Sequence, residues 1–309
     1  MNPAHTPVLL NESMEILNVG KKKGAWVDAT FGGGGHSAEI LKRMKKGSRL
    51  VAIDADRENL EKFSKRFSKR KDFTAVHSNF AEIKTILKKA GVNKTEGILF
   101  DLGVSSMHFD EAERGFSFSK EAPLDMRMDR SSCVTAYDVV NGYSKKSLAG
   151  IFREYGGERK PGKTASYIIN SRPVKTTVQL AEIIKKASPG QSAGRKKIHP
   201  ATRVFQAIRM EVNSEITSLE KGLEQGLGAM APGGRMVVIS FHSTEDRAVK
   251  YFFNRESKDC ICDNKRLPCV CGHKKAVRVI TRKPLTPAEG EKKANPRSSS
   301  ARLRAAEKI

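Results

Sequence analysis

Aromatic residues are scarce in this sequence, 6% of 309 residues with a single tryptophan, and acidic residues are outnumbered, 34 against 57 lysines and arginines. Five cysteines in a chain of this length exclude a disulfide scaffold and point to a reducing, cytoplasmic setting. No window approaches the roughly 18 consecutive apolar residues needed to span a bilayer, so no membrane partner is expected. Met1 to Asn11 holds prolines and polar residues instead of a basic segment leading into an apolar core, which argues against an export signal. Hydrophobic residues at 38% are enough to fill a core, which excludes a disordered chain and suits an aliphatic sheet. The formal net charge of +23 points to polyanionic partners, nucleic acid first.

Over the first hundred residues short apolar runs alternate with helical patterns. Ala25–Ala29, Arg49–Ile53, Phe73–Val76 and Gly97–Leu102 read as strands, and Ser37–Met44, Arg57–Phe67 and Phe80–Ala90 have apolar positions at helical spacing. That alternation predicts an α/β fold with a doubly wound, mostly parallel sheet. The rhythm breaks from about 134 to 200, where helical stretches such as Thr177–Lys186 stand without strands. It resumes with a helical pattern from Ala201 to Leu227, interrupted near Asn213, a turn at Pro232-Gly233-Gly234 and an apolar strand, Met236–Ser240. The expected organisation is a sheet domain in two parts, 1–133 and 201–309, with a helical module inserted at 134–200. The Pro-, Ser- and Lys-rich tail from Lys283 reads as partly disordered.

The densest chemical signal is Asp28 to Ser37, DATFGGGGHS, between the first strand and the first helix. Its glycines permit a sharp turn and the close approach of a ligand to the backbone. Asp54 follows at the end of the second strand, about 20 residues on, where a carboxylate accepts hydrogen bonds from ribose hydroxyls. Read as Gly33, Gly35 and Ala38, the loop also satisfies a dinucleotide pattern, so a nicotinamide oxidoreductase stands as an alternative. Two features favour S-adenosylmethionine instead. Asp28, just ahead of the glycines, suits the amino group of a methionine moiety, whereas a pyrophosphate would gain nothing from its negative charge. Phe80, after the third strand, offers a ring to stack on adenine.

Together with further segments, these residues resemble the bacterial 16S rRNA (cytosine-N4)-methyltransferases, the MraW family. The matching segments are His5–Leu10, Asp28–Ser37, Asp101–Ser106, Glu113–Phe118, Pro123–Asp129, His199–Glu215, Pro232–Arg247 and Asn295–Arg304. The resemblance implies a Rossmann-like, class I methyltransferase domain interrupted by a helical substrate-recognition module. It also implies methylation of the exocyclic N4 of a decoding-region cytidine in small-subunit rRNA, free or in an assembling subunit. Cofactor contacts would fall on Gly34, Gly35, His36, Asp54, Phe80, Asp101 and His108. His108 stands where the family usually has glutamine, Thr244 replaces a common leucine and Ser299 a common basic residue. A non-catalytic RNA-binding protein is a third reading, separated from the first by a methyl-transfer assay.

Asp101 ends the fourth strand, where doubly wound sheets place their ligands. It could touch both the cofactor and the acceptor base, or simply cap the DLGVSS turn. The resemblance favours cofactor contact, and the catalytic base stays unassigned. Carbon-5 methylation would require a cysteine nucleophile, and this loop has none. Cys260, Cys262, Cys269 and Cys271 form a separate cluster whose one-residue gaps are tighter than usual zinc spacing. Free thiols in a surface loop are the expectation there, with structural zinc as the alternative. Arg195-Lys196-Lys197 and Lys274-Lys275 with Arg278 are the candidate phosphate contacts, while Arg127 and Arg130 flank the inserted module and could face the acceptor strand.

Overall fold

Continuously aliphatic segments have no solvent face and must be covered on both sides, and in this chain they become the middle of one sheet. The computed structural model describes residues 7–104, 111–188, 199–262 and 269–309. β1 (Ala25–Asp28) is buried along its whole length, and β2 (Arg49–Asp54) and β4 (Thr95–Asp101) along most of theirs. With β3 (Phe73–His77), β5 (Met230–Ser240), β6 (Val277–Val279) and β7 (Arg302–Lys308) they form a seven-stranded sheet in the order β3-β2-β1-β4-β5-β7-β6. β1 pairs in parallel with β2 and β4, while β7 runs antiparallel to both of its neighbours. The strand order reverses between β1 and β4, the switch point that leaves a crevice at the carboxyl ends.

Two compact units divide the chain, one made of 1–103 and 216–309, the other of 104–215. In the sheet unit, alternate residues of each strand face opposite layers. Val27, Ile98 and Phe100 pack with Leu223 and Phe252 on one side, and Trp26, Leu99 and Val237 pack with Leu17 and Ile40 on the other. Flanking helices include α1 (Leu10–Leu17), α2 (Gly35–Arg43), α3 (Arg57–Ser64) and α4 (Ile83–Lys89).

The other unit is helical and has its own core, including Val139, Leu148, Phe152, Ile168, Ile184 and Ile208. Its helices start where the sequence supplies a cap. Thr135 and Asp138 form a capping box ahead of Ala136–Gly142, Ser144 and Thr176 cap Lys145–Glu154 and Thr177–Ala187, and prolines open Pro161–Asn170 and Pro200–Val212. The break near Asn213 is present, with Ser214 in the left-handed region at φ 48°.

Two expectations need correction. The turn at Pro232–Gly234 is an irregularity inside β5, where Thr95 pairs with Met230 and Gly97 already pairs with Arg235. The tail is not disordered over its last residues: β7 lies inside the sheet with Leu303, Ala305 and Ala306 fully buried. Its polar composition hid this because Arg304 is buried against Asp246, whose carboxylate accepts from its Nε at 2.6 Å and its Nη2 at 3.1 Å. No helix among the described residues is long and apolar enough to cross a membrane.

Candidate active site

The chain leaves β1 at Asp28 and is pinned residue by residue to the ends of its neighbours. Ala29 N–H donates to the Leu99 carbonyl at 2.8 Å and Phe31 N–H to the Ile53 carbonyl at 2.8 Å. Gly32 N–H donates to the Asp54 carboxylate at 2.7 Å, and Asp56 N–H donates to its other oxygen at 2.8 Å. Asp54 is thereby oriented at the rim of the crevice, partly exposed.

Gly34 has φ 69° and caps α2, a backbone state that disfavours any side chain. The space beside it is already taken. A Cβ there would stand 2.7 Å from the Phe31 ring and against the Arg66 guanidinium, and at Gly35 it would meet the Pro7 ring. These glycines are therefore required first by the protein's own packing, whereas the sequence suggested only that they make room for a ligand. The Arg66 guanidinium also donates to the Gly33 carbonyl at 2.7 Å, tying the loop to the segment after α3.

Asp28, expected to reach the cofactor's amino group, is wholly buried, and both its oxygens are engaged. One accepts from Ser37 Oγ at 2.6 Å and the other from Thr30 N–H at 3.3 Å. Burial pushes its carboxyl up to about 6 despite those two bonds, and the charge of Asp54 adds to the rise. Its carboxylate ties β1 to the first turn of α2 through Ser37.

Asp101 is oriented by its own N–H, which donates to Thr30 Oγ1 at 2.6 Å. A fifth of its side-chain surface is open, yet Oδ1 is shut off from solvent and has no hydrogen-bond partner among the described residues. Burial first, then the charges of Asp28 and Glu245, push its carboxyl up to about 8. His36, buried in the first turn of α2, faces it with Nδ1 3.5 Å from Oδ2. The other ring nitrogen, Nε2, lies 3.2 Å from the Val8 carbonyl. A carbonyl only accepts, so a proton on Nε2 would complete that bond, and the ring then turns Nδ1 toward Asp101.

The crevice is thus acidic inside a basic protein. Burial is the main cause of the raised carboxyls of Asp28 and Asp101, and the charge of Asp54 on the first and of Asp28 and Glu245 on the second add to it. Such a site repels a pyrophosphate and favours a ligand with positive charge. A sulfonium cofactor with an ammonium group suits it better than a dinucleotide does.

The profile of the MraW methylase family matches residues 2–309. The chain belongs to this family. It is 47% identical over 308 residues to the Ribosomal RNA small subunit methyltransferase H of Halothermothrix orenii, covering 99% of this chain and 98% of the relative. It is 50% identical over 313 residues to the protein of the same name from Carboxydothermus hydrogenoformans, covering 100% and 99%. A Clostridium botulinum relative of that name is 44% identical over 308 residues, covering 99% of each. The chain is accordingly a methyltransferase that uses S-adenosylmethionine, and the nicotinamide reading is not favoured.

This methylase brings together Gly34, Gly35, His36, Asp54 and Asp101 around the carboxyl ends of β1, β2 and β4. Phe80 sits just beyond β3, two residues after Ser78, whose N–H donates to the Asp54 carbonyl at 3.0 Å. Its ring meets Phe100 edge-on at 5.5 Å between centroids and lies over Gly222, where a Cβ would come within 2.7 Å. The residue is half-buried against the core. His108 lies outside the described residues, as do Arg195, Lys196 and Lys197.

Glu245 was not singled out from the sequence. It caps the helix Ser243–Glu256 together with His242 and accepts from the Phe241 N–H at 2.9 Å. The H-S-T-E spacing, a capping-box pattern after an apolar strand, was the available signal. Arg127, expected to face the acceptor strand, is engaged within the protein. Its guanidinium is spent on Asp125, at 2.7 and 3.0 Å, and on the carbonyls of Arg130 and Ser132, at 2.9 and 2.8 Å.

Proposed function

We propose that this methyltransferase acts on the exocyclic N4 of a cytidine in small-subunit rRNA, free or in an assembling subunit. The observation that carries the reading is the acidic crevice at the switch point, with His36 Nδ1 3.5 Å from the Asp101 carboxylate, set in a chain of net charge +23. The relatives' shared name, ribosomal RNA small subunit methyltransferase H, supplies the substrate class. The helical unit is the proposed recognition module, and exposed Lys274 and Lys275 are proposed phosphate contacts. Action on ribosomal RNA fits a cytoplasmic location.

S-adenosylmethionine, when bound, supplies a methyl group on a sulfonium. Gly34, Gly35, His36, Asp54, Phe80 and Asp101, with His108, are the proposed cofactor contacts. Cytosine N4 is a weak nucleophile because its lone pair is delocalised into the ring. An acceptor beside the amino hydrogens localises that pair and takes the proton. Asp101 fits this task once a positive charge in the crevice favours its ionised form, and His36 Nδ1 offers a second seat for the proton. In a duplex N4 is paired, so the base must be presented unpaired.

The test is methyl transfer to small-subunit particles followed by digestion of the RNA to nucleosides. N4-methylcytidine is the expected product, and a carbon-5 product would refute the direct-transfer reading. Replacing Cys133, Cys260, Cys262, Cys269 and Cys271 together should leave turnover per folded molecule intact. Calorimetry should show binding of S-adenosylhomocysteine and none of NAD.

The raised carboxyls also predict a pH dependence of stability. Asp28 and Asp101 hold protons in the folded chain up to about 6 and about 8, against roughly 4 when unfolded. The native state then binds more protons, and stability falls as the pH rises through that interval. Asp101→Asn should flatten the decline between pH 6 and 8 in thermal melts without ligand. Parallel curves for the two proteins would refute the assignment.

A further inference from the structure

Methyl transfer to an amine has no use for a thiol, yet four of them converge at one place on the sheet unit. They lie in the segment joining the helix Ser243–Glu256 to β6. The Sγ atoms of Cys260, Cys262, Cys269 and Cys271 all lie within 4.8 Å of one another. Cys269 Sγ is 3.3 Å from Cys260, 3.4 Å from Cys271 and 3.8 Å from Cys262, and Cys271 is 3.9 Å from Cys260. Zinc–sulfur bonds of about 2.3 Å in a tetrahedron separate the sulfurs by about 3.8 Å. The four sulfurs already approximate those corners, and none is paired as a disulfide.

Two independent features point the same way. Backbone N–H groups are aimed at the sulfurs, Ile261 at Cys271 over 3.5 Å and Cys262 at Cys260 over 3.4 Å. Donors of this kind stabilise thiolates and orient metal ligands. The described apolar residues of the segment are also poorly buried: Val270 is 86% exposed and Ile261 42%. Its base is tied down, with Ala276 N–H donating to the Glu256 carbonyl at 2.8 Å and His273 Nε2 3.1 Å from the Arg255 carbonyl. Beyond that base, the described apolar residues, Ile261 and Val270, contribute little burial to offset the entropy of ordering the chain. The tight C-x-C gaps, which counted against a metal from spacing alone, place each pair along one edge of a tetrahedron.

We propose that Cys260, Cys262, Cys269 and Cys271 bind one zinc ion as four thiolates. The site is structural. Four protein ligands leave no open position for water or substrate, so the ion folds the segment and takes no part in methyl transfer. Binding releases the thiol protons. The doubly negative cage that results is flanked in sequence by exposed Lys258, Lys274 and Lys275.

Elemental analysis of the full chain, purified without chelators from zinc-supplemented cells, should find one zinc per molecule. Cobalt exchange should give the strong charge-transfer and visible bands of a tetrahedral tetrathiolate. Cys260→Ser with Cys269→Ser should abolish both signals and open the segment between 257 and 276 to proteases, leaving S-adenosylhomocysteine affinity unchanged. Native protein without zinc, its five cysteines all reacting freely with a thiol reagent, would overturn the proposal. So would a disulfide mass signature, or iron in the cage.

Discussion

Asparagine at position 101 is expected to lower methyl transfer by about two orders of magnitude while raising the thermal stability of the ligand-free protein. The loss follows from removing a proton acceptor at the reacting amine, an effect typically worth about 100-fold to 10,000-fold. The gain follows from the surroundings of Asp101. Its carboxyl is pushed up to about 8 by burial and by the charges of Asp28 and Glu245, and an amide of the same shape escapes that repulsion. A residue that is unfavourable for the fold and required for the reaction should show opposite signs in the two measurements. Cofactor affinity separates the two roles left open for Asp101. A variant that binds S-adenosylmethionine normally but turns over slowly places it at the acceptor, and one that loses affinity in step with turnover places it on the cofactor. Retention of wild-type activity would remove Asp101 from the site altogether.

What the sequence made legible follows from where the determining interactions lie. β1, β2 and β4 were readable because continuous aliphatic runs encode burial on both faces locally, and Asp28, Asp54 and Asp101 could be placed as strand ends for the same reason. β7 was not readable. RLRAAEK carries one large apolar residue, and its place between β5 and β6 depends on partners far away in the chain and on Asp246 meeting Arg304. α1 was missed because it starts after Leu9 in the left-handed region with no capping side chain to announce it. The same divide runs through the site. The glycine loop declared itself, but the pairing of His36 with Asp101 depends on the Val8 carbonyl fixing the ring, and no local pattern encodes that. The thiol cluster reversed the usual lesson: its residues were plain in the sequence, and only their convergence gave them meaning.

Valine at Gly34 is expected to remove measurable cofactor binding and to destabilise the chain by about 2–3 kcal/mol, a larger change than alanine at Gly32 should cause. Both positions are left-handed, with φ 69° at Gly34 and 50° at Gly32, so any side chain there costs about 1–2 kcal/mol in backbone strain. β-branching adds to this because it restricts the side chain further. The surroundings separate the two. The nearest atom to a Cβ at Gly32 is the Thr30 carbonyl oxygen at 3.9 Å, an ordinary contact. At Gly34 the Arg66 guanidinium can swing away, but the Phe31 ring at 2.7 Å cannot. It is buried and packed against Phe67 and Phe73, with centroids at 6.3 and 6.0 Å. The backbone must therefore give. Moving it breaks the Arg66 bond to the Gly33 carbonyl and drags on Gly32 N–H, which holds the Asp54 carboxylate. Loss of cofactor affinity then comes through displacement of Asp54 and of the start of α2, where His36 sits. Titration with S-adenosylhomocysteine, beside melts of Gly34→Val, Gly34→Ala and Gly32→Ala, tests this order. If a folded Gly34→Val protein bound the cofactor as tightly as wild type, the loop would not be part of the site.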